Sequence, residues 1–343
     1  MKKQDTRNKI LWITWEKGGS IRSKVLAKEI SAKFYVFNVF EDIERLFLFR
    51  YFLAVLKTFF ILLYERPKVL IVQNPSIVLS FFSSLVKPVF NYILVIDLHT
   101  QYIHPIGTKK IIMNYLLNYS LRRGDIIIVT NESYKNTIKD KTNSEIFILP
   151  DKIPDFDYEF KRIRLKGKNN ILYICTFSED EPWKEVIKAA NLLSNDIYIY
   201  ISGKNELDNK KVATNVVLTG FLPEKDYQNL VRSVDIIMVL TTQDDCLVCG
   251  GYEAVSAEKP MILSNKKVLR EYFNKGATFT ENNSQDIARS IDLTIKNKTG
   301  LKEEIRELKR IREMEWKNKW DNLLEMLNPS DSKMASVIKC PRG

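Results

Sequence analysis

Cysteine and histidine are scarce: of 343 residues only four are Cys (Cys175, Cys246, Cys249, Cys340) and two are His (His99, His104). So few and so scattered, they exclude a disulfide framework and leave little room for a Cys/His metal centre; reduced thiols in a cytosolic setting are expected. Cys246-Leu247-Val248-Cys249 has CxxC spacing. No second Cys or His pair stands at zinc-site distance and no Trp-Cys-Gly-Pro-like context surrounds it, so small buried thiols are the expected reading. Gly (12) and Pro (11) are also few beside 45% hydrophobic and 28% charged residues, which excludes a disordered, collagenous or low-complexity chain. Behind Met1-Lys2-Lys3 there is no apolar stretch with a small-residue cleavage site, so export is not expected. The longest apolar run, Leu46 to Tyr64, is interrupted by Arg50 and Lys57, seven apart and hence on one side of a helix. It reads as a very apolar helix rather than a membrane span.

What is present points to two domains of roughly 150 residues each. Lys and Arg outnumber Asp and Glu by 53 to 42, a net charge of +11 that suits nucleic acid, anionic lipid or a phosphorylated substrate. No helix-turn-helix, zinc finger or RNP-type aromatic motif occurs, so nucleic acid is not expected as a partner. Apolar helices and basic residues (Lys57, Lys87, Lys109, Lys110, Arg122, Arg123) coincide in the first 125 residues, as on a protein resting against an acidic membrane face. An ordinary solvated basic surface explains the same residues.

Short β-branched runs alternate with helix-period stretches, the pattern of parallel sheets flanked by helices. Strands are expected at Ile10 to Trp15, Phe34 to Val39, Val69 to Gln73, Tyr92 to Asp97, Asp125 to Thr130 and Glu145 to Leu149. After a Pro-containing break at Pro150 to Asp155 the pattern restarts at Ile171 to Thr176, Ile197 to Ser202, Val216 to Thr219, Asp235 to Leu240, Met261 to Ser264 and Ala277 to Thr280. Six strands on each side of a linker argue for an α/β protein of two Rossmann-like lobes rather than one closed barrel, with the site in a cleft between them. The expected division is 1–155, 156–300, a helix over 301–328 carrying Trp316 and Trp320 on one face, and a flexible tail over 329–343.

Ligands in such sheets bind beyond the carboxyl ends of strands, so the turns that follow strands carry the candidates. Gly18-Gly19, ahead of Arg22, can bring backbone N–H groups and a helix start to a phosphate, and equally fits a plain tight turn. In Gln73-Asn74-Pro75-Ser76 the Asn or Ser can cap the next helix. Asp97 and His99 share one face of a strand end, which suits acid-base or hydrogen-bonding work, while a lone His also fits a structural place. The richest turn runs from Thr241 through Asp245, Cys249, Gly250 and Gly251 to Glu253, with seven residues between Asp245 and Glu253. Its loop and helix start can hold a pyrophosphate on backbone donors while Glu253, one turn in, accepts from two ribose hydroxyls and Asp245 meets the next sugar.

This carboxylate, seven-residue, glutamate arrangement, followed by Ala254 and Lys259-Pro260-Met261-Ile262-Leu263, resembles the signature of GT-B glycosyltransferases, particularly family 4. Thr219-Gly220-Phe221-Leu222-Pro223-Glu224, Tyr227 and Ser233-Val234-Asp235 are similar to the stretch that precedes it in that family. In the first half, Gln73-Asn74-Pro75 and Asp97-Leu98-His99, with Thr176 to Glu181 further on, resemble pieces of the dolichyl-linked chitobiose β-mannosyltransferases. The resemblance implies a GT-B fold, with an acceptor-binding first lobe, a nucleotide-sugar-binding second lobe and a C-terminal helix crossing back to the first. It implies that Glu253 holds the ribose and Asp245 the donor-sugar hydroxyls. Cys249, Gly250, Gly251 and Thr176 line the donor site, Gly18 and Gly19 approach its phosphates, and His99 lies near the transferred sugar.

Family 4 enzymes commonly place an Arg and a Lys after the first strand of the second lobe. Here that turn carries Phe177, Glu179, Asp180 and Glu181, so Lys204, with Arg22 assisting, is the candidate for meeting the leaving diphosphate. The expected activity is metal-independent transfer of a sugar from a nucleotide-diphosphate sugar to a hydroxyl of a lipid-linked or polysaccharide acceptor, as in cell-envelope synthesis. No cofactor is expected, and the protein is placed as peripheral on the cytoplasmic face of the membrane. The family 4 resemblance implies retention; inversion, with Asp97 or another carboxylate facing the acceptor as base, stays open. A nucleotide-sugar epimerase of the same architecture and a non-catalytic basic binding protein are the alternatives.

Overall fold

The computed structural model describes residues 10–16, 20–37, 47–73, 76–98, 110–204 and 212–328. The chain divides into two compact units, one of 1–150 with 316–343 and one of 151–315.

In the first unit β1 (Ile10–Thr14), β2 (Lys33–Val36), β3 (Val69–Gln73), β4 (Ile93–Asp97), β5 (Ile126–Val129) and β6 (Glu145–Ile148) form one parallel sheet of order β2-β1-β3-β4-β5-β6. Val-Leu-Ile-Val-Gln, Ile-Leu-Val-Ile-Asp and Ile-Ile-Ile-Val are wholly buried in β3, β4 and β5, because helices cover both faces and leave no solvent side for polar alternation. The period of two sorts these residues into two cores. Leu11, Ile13, Leu70, Val72, Leu94 and Ile96 face α2 (Phe47–Glu65), α3 (Ile77–Phe90), α4 (Lys110–Arg123) and α5 (Glu132–Ile138). Trp12, Val69, Ile71, Val95, Ile126 and Ile128 face α1 (Ile21–Glu29) and the end of the last helix. Of the residues Gln73 to Ser76, Ser76 is the one seen to cap: its side chain accepts from Leu79 N at the start of α3.

The second unit holds β7 (Asn169–Tyr173), β8 (Ile197–Ser202), β9 (Val216–Gly220), β10 (Ile236–Val239), β11 (Met261–Ser264) and β12 (Ala277–Thr280), again all parallel, ordered β12-β11-β10-β7-β8-β9. In unit order that is 3-2-1-4-5-6, the Rossmann arrangement, with its reversal between β7 and β10. One face packs against α6 (Trp183–Ala190) and α10 (Ser284–Lys296). The other packs against α7 (Glu224–Ser233), α8 (Cys249–Ser256), α9 (Lys267–Tyr272) and the first part of α11 (Lys298–Met326).

All twelve expected strands form, with ends moved by three residues or fewer. The break at Pro150 to Asp155 is not a free linker. Ile153 is buried in the second unit's core, Tyr252 Oη accepts from Asp151 N at 3.4 Å and Ser256 Oγ donates to Pro154 O at 2.5 Å, so the division falls after Pro150 instead of after Asp155. Nor does the helix start at 301: α11 runs unbroken from Lys298, burying Ile305 and Leu308 in the second unit and Trp316, Trp320 and Leu323 in the first. The Trp316 and Trp320 rings stack at 5.2 Å, and Trp316 Nε1 donates to Pro150 O at 3.2 Å. The tail beyond Asn328 lies outside the described residues.

Candidate active site

The second unit's chain reversal brings the turns after β7 and β10 side by side. The turn after β7 is built around carboxylates. Glu181 Oε2 accepts from Thr176 N (2.8 Å), Thr176 Oγ1 (3.1 Å) and Ser178 N (3.0 Å), so Thr176 is part of a loop closed on Glu181. Asp180 Oδ2 accepts from Thr241 Oγ1 at 3.0 Å and Gln243 Nε2 at 3.1 Å, and Asp180 O accepts from Thr242 N at 2.7 Å, which ties this turn to the one after β10. After β8, Gly203 sits at φ +95 with its would-be Cβ 2.1 Å from Cys175 O, a contact only glycine allows, and the exposed Lys204 follows it. Burial pushes the Cys175 thiol up to about 12 and the Cys246 thiol up to about 11, so neither is an activated thiolate.

The turn after β10 leads into α8. Its glycines are dictated by packing: a Cβ on Gly250 would stand 2.7 Å from Val239 Cγ2, and one on Gly251 2.6 Å from the Phe273 ring. They let the helix start rest directly on the strand ends at the reversal. Val248, at the cap position, contributes no side-chain hydrogen bond, and Cys249 at the first turn is exposed. Asp245 is half-buried in the approach loop; its neighbour Asp244 pairs with Lys266 Nζ at 2.6 Å.

One turn into α8 lies Glu253, half-buried, its Oε2 accepting a hydrogen bond from Tyr227 Oη of α7. Burial pushes its carboxyl up to about 7; the Tyr227 hydroxyl opposes that rise and the charge of Glu224 adds to it. Burial and the adjacent Glu253 likewise hold the Tyr227 phenol well above its usual range. A carboxyl that titrates near neutrality beside an uncapped helix start is an acceptor poised for hydroxyl donors. Thr176, Lys204, Asp245, Cys249, Gly250, Gly251 and Glu253 thus all lie at the carboxyl end of one sheet, on turns after β7, β8 and β10 or the start of α8.

The first unit's candidates fare differently. Arg22 and Asp97 bind each other in a two-pronged pair, Nε to Oδ2 at 2.9 Å and Nη2 to Oδ1 at 3.0 Å, with side chains 5% and 2% exposed. Arg22 Nη2 also donates to Leu149 O at 3.0 Å. Each thus neutralises the other in the interior, which gives both a structural task; no free carboxylate is presented by Asp97 and no free cation by Arg22. Gln73, the neighbour of Asp97 across the strands, takes hydrogen bonds on Oε1 from Ser20 Oγ at 2.9 Å and from Ser23 Oγ. His99, Gly18 and Gly19 lie outside the described residues.

Sequence reasoning did not foresee three of these contacts: Tyr227 with Glu253, Arg22 with Asp97, and Asp180 with Thr241. The available signal was polar residues, Thr14, Gln73 and Asp97, closing otherwise apolar strands in one register row.

Residues 155–312 match the family model for glycosyl transferases group 1. No curated protein matches the chain by sequence. In fold it is similar to sucrose-phosphate synthase from Thermosynechococcus elongatus (TM-score 0.73, 10% identity, 93% of this chain and 98% of that one). It is also similar to HepE of Anabaena, solved with UDP-glucose (TM-score 0.69, 12% identity, 93% and 100%), and to OtsA (TM-score 0.68, 11% identity, 93% and 99%). Each of the two units is built on a parallel six-stranded sheet, in the α/β arrangement of the GT-B fold, and the second carries the match to glycosyl transferases group 1.

Proposed function

We propose that the chain transfers a sugar from a nucleotide-diphosphate sugar to a hydroxyl of a lipid-linked or glycan acceptor. The observation that carries the donor half is Glu253, a carboxyl pushed up to about 7 by burial at the second unit's chain reversal, beside a helix start without a side-chain cap. HepE, of like fold, was solved with UDP-glucose, which supports this donor class.

In this reading the ribose hydroxyls donate to Glu253 and the diphosphate lies against the first turn of α8. Asp245 meets the donor sugar, and Thr176 lines the site from the facing turn. Lys204 is the exposed cation after β8 that meets charge growing on the departing diphosphate. Glu181 and Asp180 hold the turn after β7 in shape through hydroxyl and amide donors. In this reading the transfer is metal-independent. Retention is favoured over inversion because the inverting base, Asp97, is already bound by Arg22. The anomeric configuration of the first-formed product, followed by NMR, decides between them.

The donor reading is tested by thermal stabilisation with UDP, GDP, dTDP and their sugars. A ligand at 100 times its Kd adds about 2.7 kcal/mol, so one nucleotide series raises Tm clearly. If none does, the reading is lost.

A further inference from the structure

We infer that the outer faces of α2, α3 and α4 form a docking surface for an anionic lipid bilayer, on which the protein lies without crossing. On α2 the exposed residues Phe49, Phe52, Leu56, Phe60 and Leu63 recur at steps of three and four, one stripe along the helix. The opposite side of the same helix buries Ala54, Thr58 and Leu62. A soluble helix normally turns its apolar stripe inward and its charges outward; α2 has apolar residues on both sides. At 19 residues, or about 28 Å, the exposed stripe is long enough to lie along an interface. Among the described residues no helix is long and apolar enough to span a membrane.

The stripe continues onto its neighbours. α3 packs against both α2 and α4, and it exposes Leu85 and Val89, the latter 78% exposed. α4 exposes Ile111, Ile112 and Tyr115, with Ile111 at 84%. The second unit's large exposed apolar residues, among them Leu192, Phe221 and Met314, are spread over separate elements. Isolated residues of that kind need no partner, whereas a shared face does.

Charge names the occupant. The three helices carry six basic residues, Arg50, Lys57, Lys87, Lys110, Arg122 and Arg123, of which Lys87 is paired with Asp125 at 2.6 Å, and a single acidic one, Glu65. That one is taken: Glu65 binds Lys33 Nζ and accepts from Tyr35 Oη at 2.7 Å. A second copy of this face would set like charges against each other. A protein partner would ordinarily be met by charges of both signs. An apolar stripe rich in aromatics and flanked by charge of one sign suits acyl chains below and anionic headgroups around.

The test uses the full chain, without nucleotide, in flotation with phosphatidylcholine vesicles containing ~30% phosphatidylglycerol, against phosphatidylcholine alone. The chain floats with anionic vesicles at least ten-fold more tightly than with neutral ones. Phe52→Ser with Phe60→Ser weakens that binding about ten-fold, and so does Arg122→Glu with Arg123→Glu. Phe221→Ser in the second unit leaves it unchanged. All the substituted side chains are exposed, and unchanged melting curves confirm that the variants fold. A chain that stays with the aqueous phase, or a Phe52/Phe60 variant that floats like the parent, overturns the inference. So does a parent dimer that the same variant converts to a monomer, since a second copy then covers the face. Because no donor is present, failure here leaves the glycosyltransferase reading standing, and a chain that binds no nucleotide still answers the vesicle question.

Discussion

The carboxyl ends of the two sheets use acidic residues in opposite ways. At the first, Asp97 is locked to Arg22 inside the unit and charge is cancelled where it stands. At the second, Glu181, Asp180 and Glu253 are held by hydroxyl and amide donors, and Glu253 by Tyr227 alone among the side chains seen to bond it. A buried ion pair fixes geometry; burial pushes the Glu253 carboxyl up to about 7 against the opposing Tyr227 hydroxyl, which keeps its proton equilibrium open near neutral pH. The chain therefore puts rigidity at one sheet end and adjustable acceptor chemistry at the other.

The largest effect should come from breaking the closed end. Arg22→Ala leaves Asp97 buried without its partner and should cost the first unit ~3–5 kcal/mol, seen as an early separate step in calorimetric melting. Replacing both partners, Arg22→Met with Asp97→Leu, should recover most of that loss, since it removes the stranded charge. A double variant that melts normally and keeps its turnover confirms the pair as scaffold; one that melts normally and loses turnover returns Asp97 to the chemistry.

The open end should answer to packing before charge. Gly250→Ala forces a methyl into Val239 and Ile174 and should destabilise the second unit by ~1–3 kcal/mol, with the first unit's melting step unmoved. Tyr227→Phe is the mildest change. Its hydroxyl is what opposes the rise at Glu253, so without it the carboxyl titrates higher and the pH midpoint of nucleotide binding moves up, with binding near pH 7 weakened a few-fold. Linkage sets the direction for stability as well. Glu253 is raised above its unfolded value, so its contribution is fully present below about pH 4.5 and lost as pH climbs to about 7. Glu253→Gln should accordingly raise Tm at pH 8 and change it little at pH 4.5, as thermal melts at the two pH values will record.

Much of this fold could be read from the chain because helices on both faces demand continuous apolar strands, and such runs as Val69 to Val72 or Ile126 to Val129 stand out from their surroundings. The start of α8 was legible for the same kind of reason: a glycine pair and a glutamate one turn later are local. What joins distant segments was not. Arg22 and Asp97 are 75 residues apart, and Tyr227 and Glu253 are 26 apart, and no local pattern announces either pairing. The glycines also carried a double meaning. Read as part of a helix start that offers backbone donors to a pyrophosphate, they are required by the seating of the helix on Val239 and Phe273. The linker was marked by its prolines, but Ile153 and the hydrogen bonds at Asp151 N and Pro154 O anchor it to the second unit.

The central claim is that Glu253 accepts the hydroxyls of a bound nucleotide. It is tested most directly by calorimetric titration of the best-stabilising nucleoside diphosphate into the parent and Glu253→Gln, from about pH 5.5 to about pH 8.5. Hydroxyl donors prefer the ionised carboxylate, so parent affinity should climb with pH and level off above about 7. The Gln variant should bind at least ten-fold more weakly at pH 8, without that climb. Equal affinity in the two proteins, with the same dependence on pH, would contradict the account.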